Sequence, residues 1–150
     1  MMNTQEKNER NEGRRVTAND KLRTYYNAAD KLNEEFPKEL MDKLSIYGRI
    51  LEIIGGLHAD ALREWKLAES ERKGTIAETY MIVLNEGDKP ATSKYREMVA
   101  EQTASDLRKR EAIAESEAMR WRNAYNSVLE QIQIMKKRYE HLTNVSKGGI

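Results

Sequence analysis

Two long stripes of mostly apolar residues, spaced alternately three and four apart, constrain this chain more than any other feature. The first stripe is Leu40, Leu44, Tyr47, Leu51, Ile54, His58, Ala61, Trp65, Ala68 and Arg72, continuing more weakly through Thr75, Thr79 and Ile82. The second is Ala100, Ala104, Leu107, Glu111, Ala114, Ala118, Trp121, Tyr125, Val128, Ile132, Met135, Tyr139 and Leu142, with Glu111 its one charged member. This alternation is the period at which an α-helix keeps one face on a partner helix. The expected fold is therefore all-α: a long antiparallel helical hairpin of coiled-coil type with a short N-terminal helix, assembled into a homo-oligomer.

The punctuation fits that plan. The run 85–90 contains Gly87 and Pro90 and supplies a stop between the stripes. Segments of about 48 and 50 residues, at about 1.5 Å per residue, would each be about 70–75 Å long. Gly55, Gly56 and Gly74 each cost about 1 kcal/mol relative to Ala in a helix interior. The stripe keeps phase across them, which predicts a bend and not a break. Upstream, Phe36-Pro37 ends one helix and opens the next, because the residue before Pro is pushed out of the α region. Thr17 with Asp20 makes a capping pattern for a short helix over about 19–35, whose apolar positions are Leu22, Tyr25, Tyr26, Ala29 and Leu32. The expected organisation is a disordered arm over 1–16, a short helical segment over 17–36, the hairpin over 37–142 and a flexible tail over 143–150.

Apolar residues make up 39% of the chain and charged residues 34%, with a mean hydropathy of -0.85. Much of the apolar share is Ala, so a compact ball is hard to fill while long helices are not. Tyr47, Trp65, Trp121, Tyr125 and Tyr139 are too large for one partner helix to cover. With Leu51, Ile54, Val128, Ile132 and Met135 they form the expected interface between copies. No cysteine is present, which excludes a disulfide scaffold and a thiol or zinc-finger chemistry. No apolar run is long enough to span a membrane, and the polar N-terminus has no signal-like core, so a cytoplasmic protein is expected.

Enzyme signatures are missing. Neither a phosphate loop nor a dinucleotide-binding turn occurs, and neither His58 nor His141 has the Glu three residues before it that a di-iron bundle uses. His58 occupies a stripe position, the place of a core histidine. Glu111 and Glu115 lie one turn apart but beside Arg108 and Arg110, which reads as a solvated ion-pair face and not a metal site. Asn144-Val145-Ser146 matches a glycosylation sequon, discounted without a signal peptide. No metal, cofactor, membrane or small-molecule substrate is expected, and no enzymatic activity.

The 26 basic and 25 acidic residues leave a net charge of +1, which excludes coating nucleic acid by bulk charge. The distribution is uneven: from Ala118 onward there are six bases (Arg120, Arg122, Lys136, Lys137, Arg138, Lys147) against two acids (Glu130, Glu140). Arg108-Lys109-Arg110 is a further cluster, offset by Glu111, Glu115 and Glu117. Cations near a helix C-terminus oppose its dipole, a sufficient structural reason for Lys136-Lys137-Arg138. The functional alternative is that a row of cations tracks a phosphate backbone while an aromatic such as Trp121, flanked by Arg120 and Arg122, offers a stacking surface. Trp121 also lies on the apolar stripe, which gives it a core role.

The run from Arg120 to Arg138, reading RWRNAYNSVLEQIQIMKKR, resembles the C-terminal helix of small phage recombination mediators of the UvsY type. The segment from Ala61 to Asp88, with Trp65-Lys66, Glu71, Lys73, Ala77, Tyr80 and Gly87-Asp88, resembles that family's first long helix and turn. The resemblance spans about residues 44–142. It implies a helical homo-oligomer that binds single-stranded DNA and a RecA-like recombinase, helps the recombinase displace single-strand-binding protein, and has no catalysis of its own. Met135-Lys136-Lys137-Arg138 matches an apolar-Lys-x-Arg element tied to assembly in the family. The family's DNA-contacting basic pair has no clean counterpart: the equivalent stretch is Ala77-Glu78-Thr79-Tyr80, and the nearest bases are Arg72 and Lys73. The helix over 19–35 is extra to the pattern. The nucleic-acid-binding candidates are thus Arg120, Arg122, Lys136, Lys137, Arg138, Arg72 and Lys73. Two other classes fit the same chain: a phage-encoded inhibitor or adaptor that binds a host or phage protein through helical contacts, and a structural coiled-coil component of a virion or scaffold.

Overall fold

The computed structural model describes residues 3–85 and 92–148, and over them the chain is all-α with no strand. The helices are α1 (Thr4–Asp30), α2 (Pro37–Asn85), α3 (Ser93–Thr103) and α4 (Ser105–Gly148), and α2 packs extensively with α4. The stop expected over 85–90 lies outside the described residues apart from the end of α2. Two compact units result, one from Met1–His58 with Trp121–Ile150 and one from Ala59–Arg120.

Helix α2 runs unbroken through Gly55, Gly56 and Gly74. Pro37 opens it, as its fixed φ and missing N–H allow. Every described member of the second stripe, Ala100 to Leu142, is buried or half-buried, and so is the first stripe from Leu40 to Thr79. Ile82 departs from this and is exposed.

In the first unit the core joins Leu22 and Ala29 of α1, Leu40, Tyr47, Ile50, Ile54 and Leu57 of α2, and Val128, Ile132 and Met135 of α4. Helix α2 carries a second apolar row here, Ile46, Ile50, Ile53 and Leu57, again at 4-3-4 spacing. Ile53 shares an open hollow with Gly13, Thr17, Ala18 and Lys21 of α1, and Tyr26 meets Tyr47 edge to face at 6.1 Å between centroids. A helix with two apolar rows buries both only between two neighbours. Helix α1 is therefore a structural third helix and not an appendage.

In the second unit the four buried residues, Ala61, Ala100, Ala104 and Ala118, are all alanine among the described residues. Small side chains bury little area each, so the fully buried core of this unit is slight, with Trp65, Ile76, Val99 and Leu107 half-buried around it.

Three boundaries differ from the sequence-based expectation. Helix α1 begins at Thr4, where a disordered arm is predicted. Asn3 caps it in a box with Glu6, and Glu6/Arg10 and Glu12/Arg15 stand at helix-supporting spacings. Thr17 is not a cap: its hydroxyl donates to the Gly13 carbonyl at 2.9 Å inside the helix. Helix α1 then ends at Asp30, and a turn over Asn33–Phe36 leads to α2. Second, the last helix is interrupted at Ala104, whose backbone departs from helical values while its N–H still reaches the Ala100 carbonyl. The Thr103 hydroxyl donates to the Val99 carbonyl at 2.8 Å beside the interruption. Third, α4 continues to Gly148 instead of fraying after Leu142. Within this polar end the Thr143 and Ser146 hydroxyls donate back to carbonyls of the preceding turn.

Candidate nucleic-acid interface

Most of the predicted DNA-binding cations are engaged within the chain. Arg72 lies on the inward stripe of α2 and forks onto Glu111, the charged member of the α4 stripe. Both side chains are about one-sixth exposed, at 16% and 17%. The bond to Glu111 holds the Arg72 guanidinium's pKa above its ordinary value. Glu111 thus does pair with an arginine, but across helices and not along its own. Arg108 instead bonds Glu101, and Arg110 approaches Glu71 at 3.9 Å. Lys73 bonds Glu69 at 2.7 Å and Lys66 reaches the same carboxylate at 3.0 Å. Those two bonds, Lys73 first, bring Glu69 down to about 2. Arg120 bonds Glu117 at 2.9 Å.

Arg138 of α4 donates to Glu34 at 2.6 Å, and Lys43 of α2 donates to the other oxygen of Glu34 at 2.9 Å. Lys43's hydrogen bond is the largest cause that lowers the Glu34 carboxyl, with Lys43 and Arg138 charges adding and burial opposing.

Arg122, Lys136 and Lys137 are exposed and make no ion pair among the described residues. At 100° per residue, Arg122, Asn126, Gln133, Lys136 and Lys137 fall within about 100° of the α4 circumference, along about 22 Å. All five are exposed. The face holds these five donors with the exposed Leu129 among them and Glu140 at its far end. The helix-dipole account of the Lys136–Arg138 run does not hold, because α4 continues for ten residues beyond Arg138 and the dipole acts within the last turn. Lys147 is the base in that turn.

Nine of the ten residues predicted for an interface between copies belong to the first unit's core or pack against it. Tyr47, Ile54, Val128, Ile132 and Met135 are buried, and Leu51, Trp121, Tyr125 and Tyr139 pack against the same core. Helix α1 supplies the cover that a two-helix hairpin lacks. Tyr125 lies against α2 backbone: a Cβ on Gly55 would meet its ring at 3.4 Å. Trp65 is half-buried, with the Lys66 ammonium 4.6 Å from its ring centroid. Burial, and then Tyr47, raise the Tyr26 phenol.

Sequence reasoning missed Glu34 and Lys43. An acid in a turn gives no local sign of the cation it will meet 104 positions later. The Ile46-Ile50-Ile53-Leu57 row did carry a legible signal, its 4-3-4 spacing. His58 is half-buried on α2. No cluster of three metal-ligating side chains occurs among the described residues, and no described helix is long and apolar enough to cross a membrane. Comparison with known proteins finds no matching family model, no matching curated protein and no matching solved structure.

Proposed function

We propose that this chain is a non-enzymatic helical binding protein of the phage recombination-mediator type, which holds single-stranded DNA and presents it to a RecA-like recombinase in the cytoplasm. The observation that carries the proposal is the α4 row of Arg122, Lys136 and Lys137, exposed and making no ion pair among the described residues. Asn126 and Gln133 between them add neutral donors for phosphate oxygens. In this reading α2 and the α3–α4 arm are the two limbs of an antiparallel coiled-coil hairpin. The pairings support that direction: Arg72 meets Glu111 and Tyr80 meets Arg96 in one unit, while Glu34 meets Arg138 and Gly55 approaches Tyr125 in the other. Three cations make weak binding, so a homo-oligomer is part of the proposal: several copies multiply the row along one strand.

Fluorescence anisotropy of labelled oligo-dT tests it. Three phosphate contacts at a slope of about 0.7 each predict about a twentyfold loss of affinity between 50 and 200 mM salt. Lys136→Glu with Lys137→Glu should remove binding with helicity intact. Affinity unaffected by both salt and this double substitution would refute the proposal.

A second reading, a helical adaptor or inhibitor of another protein, draws on the exposed Met81, Ile82, Tyr95 and Met98 of α2 and α3. Methionine-rich apolar surface adapts to protein partners. Substituting these four with Ser would then abolish partner binding, while oligo-dT would never bind.

A further inference from the structure

The contact between Glu34, Lys43 and Arg138 has features of an occupied anion site. One carboxylate bridges two cations from two different helices, Oε1 to the Lys43 ammonium and Oε2 to one terminal nitrogen of Arg138. Lys43 is largely enclosed, at 12% exposure, whereas Arg138 is 46% exposed. A guanidinium has five donors in a planar fork suited to two oxygens of a phosphate, and Glu34 engages Arg138 through Nη1 alone. A phosphodiester approaching from solvent therefore finds donors on Arg138 that the carboxylate leaves unused.

The carboxylate is also attached where it can leave. Glu34 is the second residue of a turn closed by the Phe36 N–H to the Asn33 carbonyl at 3.3 Å. The Asn33 side chain accepts from the Glu35 N–H at 2.9 Å, so the turn holds itself without the Glu34 side chain. Asn33's own N–H is held by Glu39 at 2.6 Å. Swinging Glu34 outward breaks two side-chain bonds and no helical one. Arg138 directly follows Lys136 and Lys137, so the site adjoins the basic row.

We infer that Lys43 and Arg138 form a phosphate-binding site that Glu34 fills in the free protein and that a phosphate of the bound single strand takes over. The inference deepens the strand-binding reading and rests on it for the identity of the ligand. Glu34 is then a built-in competitor: it weakens binding to any lone anion, and a strand already held at Lys136 and Lys137 displaces it at high local concentration.

The test titrates labelled oligo-dT with the full chain, as wild type, Glu34→Gln and Glu34→Gln/Arg138→Gln, with circular dichroism confirming helicity. Glu34→Gln should bind about three- to tenfold more tightly at 50 mM salt. Its slope of log affinity against log salt should stay near that of wild type, because the same phosphates are held in both complexes. Adding Arg138→Gln should cancel the gain in affinity and lower the slope by about 0.7, the loss of one phosphate contact. An affinity that Glu34→Gln leaves unchanged overturns the site while the strand-binding reading stands. A second arm follows the Arg138 side-chain NMR resonance with inorganic tripolyphosphate. A shift in Glu34→Gln that is far weaker in wild type supports the site even if oligo-dT binds neither protein, an outcome that removes only the strand-binding reading. No shift in Glu34→Gln overturns the site.

Discussion

Arg72 and Glu111 stand 39 positions apart, each the charged member of its own 3/4 stripe, and they bond to one another across the seam of α2 and α4. Two apparent flaws in the hydrophobic pattern are thus one feature. Alanines alone are interchangeable along a seam, and a one-turn slip would replace one small residue with another. A slip that separates Arg72 from Glu111 strands two part-buried charges.

That arrangement predicts strong coupling. Arg72→Ala and Glu111→Ala should each lower the urea midpoint, and the double variant should lose less than the sum. The apolar pair Arg72→Leu/Glu111→Leu should be as stable as wild type or more so, since replacing both charges removes the desolvation cost. Strict additivity in urea melts would show that the two side chains act independently.

The first unit should answer to size. Ile50 is fully enclosed, so Ile50→Ala should cost about 2–4 kcal/mol in chemical unfolding. Ile113 is 71% exposed, and Ile113→Ala should stay within about 0.5 kcal/mol. Equal costs at the two positions would mean that α1 does not cover α2 as described.

Much of this was legible in the sequence, and the limits have physical causes. The second stripe predicts the inward face of α3 and α4 correctly from Ala100 to Leu142, because helical periodicity is local. The second half of α1 is legible from Leu22, Tyr25, Tyr26 and Ala29, but its first half escapes because Thr4 to Arg15 carries no apolar side chain, so only capping and charge spacing mark it. The cover it gives Tyr47 and its neighbours escapes with it. Of the DNA-binding candidates, Arg122, Lys136 and Lys137 are in the open, whereas Arg72, Lys73, Arg120 and Arg138 have carboxylate partners. The partners of Arg72 and Arg138 lie far off along the chain, beyond the reach of a window of helical spacing.

Two glycines offer gain. A Cβ at Gly56 or Gly74 meets nothing within 4 Å, so alanine there removes only chain entropy. Gly56→Ala and Gly74→Ala should each stabilise by about 0.5–1 kcal/mol, read as a higher thermal midpoint. A fall in the midpoint would show that α2 needs those positions to bend.

Glu34 sets a pH dependence. Its folded-state carboxyl lies below the ordinary 4.5, chiefly through Lys43. A group lowered on folding stabilises fully above its unfolded value, and that contribution is lost as pH falls through the folded value. Wild type should therefore exceed Glu34→Gln by about 0.5–1 kcal/mol at neutral pH, the modest figure for a part-exposed pair. Acid titration should shrink the gap from the ordinary Glu range downward until it closes. A gap that widens with acid would reverse the sign of the Glu34 contribution.

The buried alanines of the second unit have a consequence for how the chain can vary over generations. Enlarging Ala100, Ala104 or Ala118 to leucine forces an overpacked contact of about 1–3 kcal/mol, while trimming to glycine removes only a methyl group and some helix propensity. Selection at those sites would act as a ceiling on volume, with little demand for hydrophobicity as such. Related chains should drift there among alanine, serine and glycine, and keep their freedom of size for the first unit, where three helices can repack together.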